Sequence, residues 1–253
     1  MKATWMLDGS LGEIRAQARS GSAPCPAGLG IGSSQISPSE GMKLLYIPAG
    51  DFLIGSSDVD ALAQPDEKPQ HTVYLNAFWI DQTVVSNAMY TKCVQSEGCK
   101  PHTDEAPIIG MFPYYGNPKF DNFPMIDVSW YEAAAYCKWA GRRLPSEAEW
   151  EKAARGTDGR IYPWSNKAPN DSLANFNHPL GAPEAVDSNP KGASPYGALD
   201  MAGNVWQWVN DPYYSNYYKC TNSFSQALNM GSPSANPQGP NNGGGISRVV
   251  RGG

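Results

Sequence analysis

Five cysteines, at positions 25, 93, 99, 137 and 220, and three histidines, at 71, 102 and 178, are the side chains best suited to nucleophilic, redox or soft-metal chemistry. Their spacing supports little of it. A zinc site needs four ligands, whereas Cys99 and His102 form one C-x-x-H with no second pair. Hydrolytic triads and non-heme iron sites need histidines converging with acids or thiols, and no such spacing is present. Cys93 and Cys99 lie close enough along the chain for a small-loop disulfide, the alternative being two free thiols. Cys137, in an alanine-rich run, reads as a packed core thiol, and His71, at a strand start, reads as structural. Paired carboxylates of glycosidase type need only meet in space, and give no signal here.

The densest constellation is "YGALDMAGNVWQWVND". Gly203 permits a tight turn after Asp200, so that the side-chain oxygens of Asp200 and Gln207 could converge with backbone carbonyls around a hard cation. The competing reading is that Asp200 and Asn204 cap a turn ahead of a Trp-rich strand, and on spacing alone that turn is preferred.

The elements that must position these residues are short. "MKLLYIPAGDFLIGS" sets two apolar runs around Pro48-Ala49-Gly50-Asp51 and predicts a hairpin, and "HTVYL" alternates with period two as a half-buried strand does. Three helices carry their own end signals. Ser86 caps the first, which Gly98 closes in a left-handed conformation. Ser129 with Glu132 and Ser146 with Glu149 form capping boxes for the other two, closed by Gly141 and Gly156. Beyond Thr157 the chain is broken by "YPW", "NHPLGAP" and "NPKGASPYG", leaving strands only at "NVWQWV" and "ISRVV".

Composition bounds what this can be. The chain has 253 residues, 41% hydrophobic and 17% charged, enough to bury a sizeable core. Its 26 glycines and 22 prolines rule out long helices, and its 8 tryptophans and 13 tyrosines predict loops pinned by amphipathic rings. A formal charge of −5 gives no footprint for nucleic acid. No apolar run is long enough for a membrane span, no signal peptide is visible, and nothing identifies a compartment. Residues 1–41, rich in Gly, Ser and Pro, read as a tail or linker before a domain over 42–253, and "GLGIGS" within that tail misses the dinucleotide-binding spacing.

Taken in order, "YIPAGDFLIGS", "NAFWIDQTVVSNAMYTKCV", "PMIDVSWYEAAAYCKWAGRRLPSEAEWEKAARG", "YPWSN", "YGALDMAGNVWQWVND" and "SRVVRGG" resemble the motifs of the formylglycine-generating enzyme, or sulfatase-modifying factor, family across 42–253. The resemblance implies an α+β, loop-rich fold of the family's C-type-lectin-like variety. It implies a structural calcium held by the Asp200 side chain, the Gly203 and Val205 carbonyls and Gln207, where the family usually has Glu. It implies a second calcium at Asn175 and Phe176, in a loop that is shortened here, and a pocket lined by Trp206. In the oxidase members, two cysteines after an "RGGS" motif bind copper and convert a sulfatase cysteine to formylglycine. This sequence has no cysteine after Val250, so it reads as C-terminally truncated, with no catalytic residue assigned and no oxidase activity expected of the chain by itself. The partner implied is a sulfatase-like polypeptide. The alternative is a non-catalytic, calcium-stabilised module binding a protein or glycan ligand. A third possibility, the domain of non-heme iron sulfoxide synthases, calls for a His-rich partner domain that the tail does not supply.

Overall fold

The computed structural model describes residues 2–3 (backbone only), 28–58, 60, 62–102, 113–176, 181–219, 231–240 and 247–253. Among these, three small sheets and three short helices are joined by long irregular segments, an α+β arrangement. Strand β1 (Lys2–Ala3) runs parallel to β7 (Gln207–Pro212), which pairs antiparallel with β8 (Arg248–Arg251). A second sheet has the order β2 (Ser34–Ile36), β3 (Lys43–Ile47), β6 (Phe78–Asp81). The third pairs β4 (Gly50–Ile54) with β5 (His71–Leu75).

The hairpin expected around Pro48–Asp51 does not form. β3 and β4 are consecutive but belong to different sheets, β3 pairing with β6 and β4 with β5. Gly50, at φ 141°, lets the chain leave one sheet and enter the other, a conformation that a side chain would resist. The period-two reading of "HTVYL" holds, with Val73 and Leu75 buried and Thr72 and Tyr74 exposed. The segment read as tail is partly built into the domain: β2 pairs with β3, and Glu40 lies in the interior against Arg142.

Helices α1 (Asn87–Gln95), α2 (Trp130–Trp139) and α3 (Glu147–Arg155) start where their caps predict. The Ser86 hydroxyl accepts from the Met89 amide, and both capping boxes are complete. At the end of α1 the left-handed residue is Glu97, φ 61°, and not Gly98. Gly98 serves a different need, because a Cβ there would lie 2.2 Å from the Trp139 ring.

Two apolar clusters result. One packs β3 to β6, α3 and β7 around Ile47, Phe52, Val73, Trp150 and Val209. The other packs α1 on α2 through Tyr90, Cys93, Tyr136 and Cys137. Helix α3 is enclosed by the fold, so that even Glu149, Glu151 and Lys152 on it are buried. Among the described residues no helix is long and apolar enough to cross a membrane.

Candidate functional site: an aromatic cleft beside the 200–207 turn

The turn before β7 is a hydrogen-bonded knot. Asp200 (φ 56°), Gly203 (φ 83°) and Asn204 (φ 69°) all take left-handed conformations, which Asp, Gly and Asn tolerate best. Asn204 is the hub. Its Nδ2 donates to Asp200 Oδ1 at 3.2 Å and to the Glu184 carbonyl at 3.3 Å. Its Oδ1 accepts from the Glu184 amide at 3.0 Å and from Asn175 Nδ2 at 3.4 Å, and its own amide donates to the Asn175 carbonyl at 2.7 Å. The Gly203 amide donates to the Gly252 carbonyl at 2.6 Å, tying the turn to the end of β8.

Gln207 lies beneath the turn, fully buried. Its Oε1 accepts from the Trp150 indole N–H at 2.9 Å, and its Nε2 donates to the Asp200 carbonyl at 2.6 Å. The Val205 amide donates to the Gly203 carbonyl at 3.1 Å. The fold therefore gathers Asp200, Gly203, Val205 and Gln207 in one turn and brings Asn175 against it. It offers a calcium ion a single carboxylate and, from Gln207, an N–H where an oxygen is needed. No cluster of three or more His, Cys, Asp or Glu with metal-ligand geometry occurs among the described residues.

Outside this knot opens a cleft of about 580 Å³. Trp206, 52% exposed, forms one wall, Tyr162 and Trp164 another, and Phe176 also borders it. The Tyr162 and Trp164 rings are stacked, with centroids 5.3 Å apart and planes inclined by 4°. The remaining lining is mostly small or backbone-like, including Ala174, Gly181, Ala202, Gly203 and Gly253, with Asn175 and Asn204 adding two amides. No charged side chain, thiol or imidazole lines it among the described residues. The Tyr162–Trp164 pair is not singled out by sequence reasoning, although two rings flanking a proline in "YPW" carry the signal.

The Gly252–Gly253 pair is required by the same close packing. A Cβ on Gly252 (φ 86°) would lie 2.6 Å from Gln207 Nε2, and one on Gly253 2.3 Å from the Trp206 ring. Just before them Arg251 lies within 2.5 Å of Glu151 and over the Trp150 ring, fastening β8 to α3. Burial pushes the Glu147 carboxyl up, while the neighbouring Arg251 guanidinium opposes that shift.

The cysteines lie elsewhere. Cys93 and Cys99 are bridged, with Cα atoms 5.2 Å apart, inside the α1–α2 cluster. Burial pushes the Cys137 thiol well above its ordinary value, the opposite of what a nucleophile needs. Cys25, Cys220 and His178 fall outside the described residues. His71 contacts the Pro69 carbonyl through Nδ1, and His102 sits edge-on to Tyr115. No pair of thiolates suited to copper borders the cleft among the described residues.

Comparison with known proteins agrees with this architecture. The description "Sulfatase-modifying factor enzyme 1-like domain" matches residues 33–253, which takes in β2. The formylglycine-generating enzyme of Streptomyces coelicolor is 30% identical over 281 residues, covering 91% of this chain and 84% of that protein. Hercynine oxygenase of Mycolicibacterium smegmatis is 33% identical over 198 residues, covering 66% of this chain but only 45% of its own length. Among solved structures, PvdO from Pseudomonas aeruginosa superposes with a TM-score of 0.69 at 24% identity, over 89% of this chain and 87% of that one, and so shares the fold. Capped helices, divided sheets, a knotted turn and a match over nearly the whole described domain agree: the chain belongs to the sulfatase-modifying factor enzyme 1-like domain family.

Proposed function

We propose that this domain recognises a polypeptide segment in the cleft beside Trp206. The observation that carries this reading is the lining: aromatic faces, small residues and two amides, with no charged, thiol or imidazole side chain among the described residues. Its amide side chains, Asn175 and Asn204, are both engaged with protein partners. A sugar would need planar polar side chains directed at its hydroxyls, whereas an apolar or aromatic side chain of a peptide needs only the ring faces. A sulfatase-like polypeptide is the ligand that the family suggests.

Titration of tryptophan fluorescence with a sulfatase-motif peptide is expected to saturate. Trp206→Ala is expected to weaken binding roughly 10- to 30-fold, the loss of one aromatic anchor. Saturation by glycans, with no response to peptide, would overturn this reading. The second reading, formylglycine generation by this chain, is favoured by the 84% coverage of the Streptomyces enzyme. Oxygen consumption with the same peptide and added copper would establish it in place of the first.

A further inference from the structure

Gln207 occupies the position at which the family resemblance places a cation ligand, and the orientation of its amide is fixed by its partners. The Trp150 indole N–H can only donate, so the atom facing it at 2.9 Å is Oε1. The Asp200 carbonyl can only accept, so the atom facing it at 2.6 Å is Nε2. Exchanging the two amide atoms would set donor against donor and acceptor against acceptor. The side chain is fully buried, and Nε2 lies so close to Gly252 that a Cβ there would meet it at 2.6 Å. The amide thus fills the space shared by α3, the 200–207 turn and the end of β8. A cation centred there would face an N–H dipole with its positive end inward.

We infer that the Gln207 amide cross-links this turn in place of a metal ion, making the domain's stability independent of calcium at the 200–207 turn. The amide N–H supplies to the Asp200 carbonyl the positive partner that a cation would otherwise supply. A glutamate at 207 has no hydrogen to give. It would set a carboxylate oxygen against the Asp200 carbonyl, an arrangement that a divalent ion relieves. One atom pair, NH2 against O⁻, therefore separates a hydrogen-bonded turn from a calcium-dependent one.

Thermal unfolding and terbium luminescence test this. The wild-type Tm is expected to agree within about 1 °C in calcium and in EGTA, small against the shift that about 1 kcal/mol produces in a chain of this size. Terbium emission sensitised by the adjacent Trp150 is expected to be absent. Gln207→Glu is expected to lower Tm in EGTA by roughly 4–8 °C, and calcium to restore at least half of that loss. A calcium-dependent rise in the wild-type Tm that disappears in Asp200→Gly would overturn the inference; glycine is chosen because it accepts the φ of 56° at that position. A Gln207→Glu variant as stable in EGTA as the wild type would also overturn it. Should that variant fail to fold, the wild-type measurements decide alone.

Discussion

At the scale of single residues, close approach and burial set the consequences of change. Gly203 combines φ 83° with a backbone neighbour, since a Cβ there would lie 2.5 Å from the Asn175 carbonyl oxygen. Gly116, at φ 77°, faces open space. Gly116→Ala is therefore expected to cost about 1 kcal/mol, the backbone contribution, and Gly203→Ala roughly 2–4 kcal/mol, by urea unfolding. Lys152 is buried with its Nζ donating to the Pro48 and Gly50 carbonyls, and burial lowers its pKa to about 8. Between about pH 8 and the unfolded value of 10.5 this lysine is protonated in the unfolded chain and not in the folded one, so its own contribution to folding stability rises with pH through that window. Tyr90 acts in the opposite sense: burial pushes its pKa up to about 12, so stability falls once unfolded tyrosine ionises near 10.0. In urea unfolding the stability difference between wild type and Lys152→Met is expected to shift in favour of the wild type by about 1–2 kcal/mol from pH 7.5 to about pH 9.5, a comparison in which the opposing Cys137 and tyrosine contributions are common to both proteins and cancel. Lys152 looks in the sequence like any helical surface lysine, and only the enclosure of α3 reveals its position.

At the scale of elements, helix starts were legible and strand partners were not. Ser129-x-x-Glu132 and Ser146-x-x-Glu149 fix α2 and α3 because a capping box is a local device, completed within four residues. Their value depends on surroundings. Ser129 is exposed, so water can replace its hydroxyl, whereas Ser146 is fully buried. Ser129→Ala is expected to cost about 0.5–1 kcal/mol and Ser146→Ala about 2 kcal/mol, measured by chemical denaturation. Reduction of the Cys93–Cys99 bridge opens a small loop at the end of α1, and is expected to remove about 2 kcal/mol, read as a lowered Tm in reductant. The apparent hairpin at Pro48–Asp51 shows the limit of local reading. Turn residues mark a change of direction but do not say which strand receives the next one, and here β4 bypasses β3 to pair with β5.

At the scale of the whole molecule, distant segments are joined by buried charge. Arg142, after α2, meets Glu40 at 2.5 Å and Asp81 at 3.5 Å with all three side chains shielded from solvent. Burial pushes the Asp81 carboxyl well up while the Arg142 guanidinium opposes the shift, so removing the cation strands two acids. Arg142→Met is expected to cost roughly 3–5 kcal/mol in urea unfolding, far more than loss of a surface pair. The sequence by itself determined the family, the α+β loop-rich character, the helix caps and the position of the 200–207 turn, because each rests on spacing within a few residues or on an ordered series of motifs. Tertiary structure alone decided which strands pair, that residues before Met42 join the domain, that Tyr162 and Trp164 face the same cleft as Trp206, and which way the Gln207 amide points. The physical reason is that pairing, burial and hydrogen-bond direction depend on partners tens to hundreds of residues away. Trp150 and Asp200 orient one amide, and neither has any effect on it until the chain has folded.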